Sequence, residues 1–158
     1  MNEASAAAER RALLIREASF RFWSAEKVRF QDVDRFDHVN NVTFAAYAES
    51  GRVEFLEHVA PASVLGDDGA FWVIARLTID FREQTHYPGE IRIGTGVLAL
   101  GRSSVTLGQG LFEGNRCVAT TESAIVLLDA ASHRSRPLPQ SMRDELAHYL
   151  LGNDTPKS

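Results

Sequence analysis

A single cysteine, Cys117, stands among the 158 residues. No disulfide can form within the chain, and no thiolate cluster can hold a metal. One lone thiol fits a reducing compartment and therefore a cytoplasmic location. Basic residues are not in excess: 17 Lys and Arg stand against 21 Asp and Glu, for a net charge of −4. With no basic run either, a nucleic-acid partner is not expected. No stretch approaches the roughly 20 consecutive apolar residues of a membrane helix, so no membrane partner is expected. Near the start, Glu9, Arg10, Arg11, Arg16 and Glu17 interrupt the apolar core that a secretory signal requires. There is no Gly-x-Ser-x-Gly elbow, which argues against a serine hydrolase. Gly94-x-Gly96 and Gly108-x-Gly110 lie inside strand patterns and open no helix, so neither is a phosphate loop.

What is present is an ordinary globular composition, 44% hydrophobic and 24% charged, with enough chain to bury one core without staples. The expected layout is a partly ordered lead-in over 1–19, one domain over 20–150 and a tail over 151–158. Phe20 to Gln31 is rich in aromatic and β-branched residues and reads as a strand, with an irregularity at Ser24-Ala25-Glu26. From Asn41 to about His58, Phe44, Tyr47, Ala48, Gly51 and Phe55 recur at spacings of three and four. That period predicts a helix, its apolar stripe widened by Val42, Ala45, Val53 and Leu56. Asn40 or Asn41 suits its N-cap, and Pro61 lies just past its end. Phe71 to Gln84 alternates, with Phe71, Val73, Ala75, Leu77, Ile79 and Phe81 on one face. Ile91 to Leu100, Val105 to Phe112 and Val118 to Leu128 follow as strands joined by hairpins at Gly101-Arg102 and Glu113-Gly114-Asn115. A short helix is expected over Gln140 to Leu151. The sum is an α+β fold in which about five long antiparallel strands curve around one central helix. Its sheet edges call for cover, which a second copy would provide.

The chemistry-bearing stretch runs from Val28 to Asn41, where the first strand hands over to the helix. Asp32, Asp34, Asp37, His38, Asn40 and Asn41 crowd into ten residues. The first turn of a helix has N–H groups without partners and lies at the positive end of the helix dipole. A developing oxyanion can be held there by main chain alone, and a neighbouring carboxylate keeps its charge easily. Acyl transfer uses those two parts. Asp and Asn before a helix are also ordinary caps and turn formers. The cluster lacks a defined ligand spacing, which argues against a metal site.

These residues resemble a family signature, Asp-x-Asp-x-x-Gly-His-Val-Asn-Asn-x-x-Tyr followed by Tyr, Glu and Arg, that marks the 4-hydroxybenzoyl-CoA thioesterase-like branch of the hotdog fold. Asp32, Asp34, His38, Val39, Asn40, Asn41, Tyr47, Glu49 and Arg52 match it; Gly101-Arg102-Ser103-Ser104 and Arg136-Pro137-Leu138-Pro139 are similar to later parts of the family pattern. Asp37 stands where the family has Gly, and Phe44 where it has the first helical Tyr. The resemblance implies an acyl-CoA thioesterase without cofactor or metal, self-associated as a homodimer or homotetramer. It implies Asp34 as nucleophile or general base, the Asn41 backbone amide as oxyanion donor and His38 in support, with Asp32 structural. Asn40, Phe44, Tyr47, Glu49, Ser103 and Ser104 would line the substrate, the two serines reaching CoA from a neighbouring subunit. Two other readings stay open: a hotdog hydratase, whose His typically stands five residues after its Asp, and a domain that binds acyl-CoA without consuming it.

Overall fold

In the computed structural model, residues 2–153 are described; the expected tail over 151–158 lies outside the described residues from 154 onward. Five strands form one antiparallel sheet in the order β1-β3-β4-β5-β2. They are β1 (Phe22–Val28), β2 (Ala70–Phe81), β3 (Gly89–Leu100), β4 (Ser104–Glu113) and β5 (Arg116–Asp129). Among the described residues four α-helices accompany the sheet: α1 (Glu3–Leu14), α2 (Asn41–Val59), α3 (Pro61–Leu65) and α4 (Gln140–Ala147). This is the hotdog fold, α2 being the helix that the sheet embraces. The stretch read as a lead-in contains α1, and its last residue, Leu14, is buried. Strand β1 pairs with β3 without interruption from Phe22 to Val28, so the irregularity expected at Ser24-Ala25-Glu26 is absent.

Helix α2 buries Phe44, Tyr47, Ala48, Gly51, Arg52, Phe55, Leu56 and Val59, so the three-and-four period faces the sheet as expected. Val42 and Val53, read as widening that stripe, are instead exposed on the helix's other flank. Gly51 sets how closely the helix sits: a Cβ there would lie 2.7 Å from Ile93 Cγ2. Beneath it the sheet is polar. The buried Gln109 donates from Nε2 to the Ala48 carbonyl at 3.0 Å and to Thr95 Oγ1 at 3.1 Å, and accepts from Thr121 Oγ1 at 2.8 Å. Each polar atom of that amide has a partner, whereas the neighbouring Ser24 hydroxyl, also buried, has none among the described residues.

The alternation read along β2 breaks at Ala75, where a β-bulge shifts the register against β5 between Ile74 and Arg76. The extra residue swaps the faces. Trp72 and Ile74 lie opposite Leu127 and Ile125, whereas Leu77, Ile79 and Phe81 lie opposite Ser123, Thr121 and Ala119. These five share the helix-facing side, and Phe71 and Val73 fall on the other.

On that outer side, Gly94 faces Gly110 and Gly96 faces Gly108 across β3 and β4. The glycines leave a trough that both ends of the chain fill. A Cβ at Gly94 would lie 2.5 Å from Phe20 Cγ, at Gly108 2.6 Å from Leu14 Cδ2, and at Gly96 2.5 Å from Leu151 Cδ2. Four strand glycines, costly in isolation, thus let the termini pack flat on the sheet.

Candidate active site

Between β1 and α2 the chain makes one 3-10 turn, Phe30–Asp32, then a tight hairpin. Val33 bridges Val39, and the Asn40 N–H donates to the Asp32 carbonyl at 2.8 Å, so the hairpin stands directly before the helix. Its tip is Asp34 to His38. The Asp34 N–H donates to the His38 carbonyl at 2.8 Å and the Asp37 N–H to the Asp34 carbonyl at 3.0 Å. Asp37 has φ 62°. A left-handed residue closing a three-residue hairpin loop is the position glycine usually takes, which explains the family's Gly. Aspartate is among the few residues that occupy it without large strain.

The carboxylate of Asp34 is half-buried and already has one task. Its Oδ1 accepts the Phe36 N–H at 2.8 Å and the His38 N–H at 3.4 Å. The turn-forming reading of this residue therefore holds for Oδ1. No hydrogen bond among the described residues engages Oδ2. At the start of α2, Asn40 is the N-cap: its Oδ1 accepts the Val42 N–H at 2.9 Å, and its carbonyl accepts the Thr43 N–H at 2.9 Å. The Asn41 N–H has no hydrogen-bond partner among the described residues. Hairpin and helix end thus leave one carboxylate oxygen and one main-chain donor unengaged within a few residues of each other.

Asp32 is the buried member of the acid pair, 3% exposed. Its carboxylate accepts the Tyr47 hydroxyl at 2.6 Å, the Arg29 N–H at 2.9 Å and the Arg29 guanidinium at 3.0 Å. Burial pushes its pKa up, but those bonds outweigh it and hold the carboxyl below its ordinary value. Burial and then the bond to Asp32 push the Tyr47 hydroxyl above its usual range. Asp32 and Tyr47 form a buried tie between the hairpin's base and α2. This suits the structural part expected of Asp32 and commits the Tyr47 hydroxyl proton to it.

Phe44 is buried, its ring edge-on to Tyr47 at 6.2 Å and to Phe81 at 5.8 Å between centroids. His38 is half-buried and lies edge to face with His86, centroids 5.1 Å apart. Glu49 and Arg52 make no ion pair within 4.0 Å. Both line an open groove of about 430 Å³ between the exposed flank of α2 and the edge strand β2, with Val42, Ala45, Ala46, Ile74 and Leu77. Arg52 is 7% exposed, and its Nη1 has no partner among the described residues. Burial pushes its pKa down, and Glu49 partly offsets that. Ser103 and Ser104 are not part of this region. Ser104 lies opposite Val126, whereas Phe81 shares its row with Ala119 and Leu111. From Ser104 to Leu111 along β4 is about 23 Å at 3.2–3.4 Å per residue. Within one chain the serines therefore stand far from the helix start. The residue sequence reading missed is His86, which meets the hairpin from a distant loop.

The fold is one that thioesterases share. Residues 28–146 match the thioesterase-like superfamily, and the chain belongs to it. It is 30% identical over 138 residues to the uncharacterized protein YsmA of Bacillus subtilis, covering 85% of this chain and 88% of that one. Among solved structures it resembles the PA5185 protein of Pseudomonas aeruginosa, with TM-score 0.78 and 25% identity over 85% of this chain and 95% of that one. It also resembles a thioesterase from Thermus thermophilus solved with coenzyme A and Zn, with TM-score 0.73 and 27% identity over 83% of this chain and 95% of that one. Among the described residues no three His, Cys, Asp or Glu side chains cluster as metal ligands, and no helix is long and apolar enough to cross a membrane.

Proposed function

We propose that this protein hydrolyses acyl-CoA thioesters to a carboxylic acid and free CoA, with Asp34 as the catalytic carboxylate. The observation that carries the reading is the pair of unengaged groups at one junction, Asp34 Oδ2 and the Asn41 N–H. The amide, at the positive end of α2, polarises the thioester carbonyl and holds the oxyanion as the tetrahedral centre forms. Asp34 either attacks that carbon, forming a mixed anhydride that water then hydrolyses to the acid and the free carboxylate, or takes a proton from the attacking water; in both cases the C–S bond breaks and the thiolate of CoA leaves. His38 supports the hairpin through its backbone pair with Asp34. The acyl group runs past Phe44 into the groove between α2 and β2, and CoA as the carrier follows the Thermus thermophilus relative.

The assembly in this reading is a homodimer, or a tetramer built from it. Strand β2 is a sheet edge, and Ile74, Leu77 and Phe81 on its helix-facing side are exposed in the single chain. Pairing β2 with its copy covers that side and the groove's open flank. It is also the route by which Ser103 and Ser104 of a neighbour approach the substrate. The free, half-buried Cys117 fits a reducing, cytoplasmic setting.

One observation favours the non-catalytic alternative: Asp34 Oδ1 already serves the turn. Asp34→Asn separates the two, because the amide oxygen keeps the turn while the charge and basicity go. A thiol-release assay over short, long and aromatic acyl-CoAs should show turnover by the native chain and a loss of about a hundredfold or more in the variant. Equal turnover in both would remove Asp34 from the mechanism. Binding of CoA esters with no thiol released would leave an acyl-CoA-binding domain.

A further inference from the structure

The hairpin that carries Asp34 is held by more than its own turn. The loop between β2 and β3 reaches it at two points. The Val39 N–H donates to the Thr85 carbonyl at 2.8 Å, and His86 Nδ1 lies 2.6 Å from the Asp37 carbonyl. A carbonyl only accepts, so the proton on this ring is at Nδ1. Thr85 is wholly buried and its hydroxyl bonds the Glu113 carboxylate at the end of β4. The loop is therefore anchored on the sheet and acts as a strut against the hairpin.

His86 grips the residue that most needs gripping. Asp37 is the left-handed position, less favourable than glycine's even for aspartate, and a bond to its carbonyl helps to hold that backbone at φ 62°. Asp37 is also bonded through its N–H to the Asp34 carbonyl, and it precedes His38, whose carbonyl and N–H both pair with Asp34. The His86 ring lies against the His38 ring as well, at 5.1 Å. Two of the bonds that hold Asp34, from the Asp37 N–H to its carbonyl and from the His38 N–H to its Oδ1, thus run through residues in contact with this imidazole, while the Phe36 N–H bond to Oδ1 does not.

We propose that His86 is a positioning residue for Asp34: its Nδ1–H fixes the Asp37 carbonyl, and the hairpin so fixed directs Asp34 Oδ2 toward the helix start. The proposal rests on Asp34 being the catalytic carboxylate. It makes no demand on global stability, because His86 is exposed. A displacement of about 1 Å at a reacting group can cost up to a hundredfold in rate.

The test uses the full chain with His86→Ala, His86→Asn and Asp34→Asn, on whichever acyl-CoA the native protein turns over. Asparagine places an N–H donor near the position of Nδ1. His86→Ala should lower kcat about ten- to a hundredfold with KM nearly unchanged, and His86→Asn should recover most of it. Hydrogen exchange at the Asp34 and Asp37 amides should speed up in the alanine variant and return toward native in the asparagine variant. Native kcat in His86→Ala, no recovery in His86→Asn, or unchanged exchange at those amides would each overturn the proposal. If Asp34→Asn is as active as the native chain, the reading of Asp34 fails first and the positioning role falls with it; if only the His86 variants keep native kcat, Asp34 stands and the strut alone is refuted.

Discussion

Replacing Asp37 by glycine, alanine and valine isolates one backbone angle. The side chain is exposed and φ is 62°, so the three variants differ in conformational preference and hardly in packing. A residue with a Cβ is about 1–2 kcal/mol worse off than glycine in the left-handed region, aspartate less so because its short polar group bonds locally. Against this, glycine makes the unfolded chain more flexible, which costs about 0.4–1 kcal/mol. Asp37→Gly should therefore lie within about 0.5 kcal/mol of native, the two effects nearly cancelling. Asp37→Ala should be about 1 kcal/mol less stable, and β-branched valine worse still. In urea, at slopes of about 1–3 kcal/mol per molar, 1 kcal/mol moves the midpoint by about 0.3–1 M with the slope unchanged. Alanine matching or exceeding glycine in midpoint would refute the left-handed assignment and, with it, the account of why the family carries glycine there.

Tyr47→Phe removes the 2.6 Å bond to the buried Asp32 carboxylate and should cost about 1.5–3 kcal/mol, the range for a bond to a charged group. Because Asp32 titrates below its ordinary value when folded, its stabilisation is full above that value and is lost as pH falls through the lower folded one. The gap between native and Tyr47→Phe should accordingly be largest near neutral pH and narrow in acid; a gap that widens in acid would contradict the tie. Light scattering should give at least twice the 17.5 kDa of one chain, and a stable monomer would leave the β2 edge and its groove without the proposed cover.

The parts of the fold written in local pattern were legible. The three-and-four recurrence from Phe44 to Phe55 gave α2 and its buried face, and Asn40 its cap. Gly114 with Asn115, and Gly101, marked the hairpins that order β3, β4 and β5. What failed needed information from another strand. The apolar alternation from Phe71 to Phe81 is unbroken in sequence, and only the register against β5 shows Ala75 to be unpaired. Val42 and Val53 are as hydrophobic as their buried neighbours; the sheet simply passes on the other side of the helix. In the site, residue types and their order could be read, down to the one position, Asp37, where the family's glycine is replaced. The division of labour within one carboxylate could not, since Oδ1 and Oδ2 differ only in what surrounds them. His86 was out of reach because its partner is a main-chain carbonyl 49 residues away, which places no demand on the residue type there.

The trough of Gly94, Gly96, Gly108 and Gly110 has a consequence for the chain's ends. Strands β3 and β4 expose bare backbone there, and the side chains that clothe it, Leu14, Phe20 and Leu151, are lent by segments outside the sheet. Proteolytic trimming that removed α1 through Phe20 would strip the middle of the sheet, uncovering a flat apolar surface of the kind that associates nonspecifically. Such a truncation should give an aggregating protein even though every strand, and the whole Asp34 hairpin, remained in the chain.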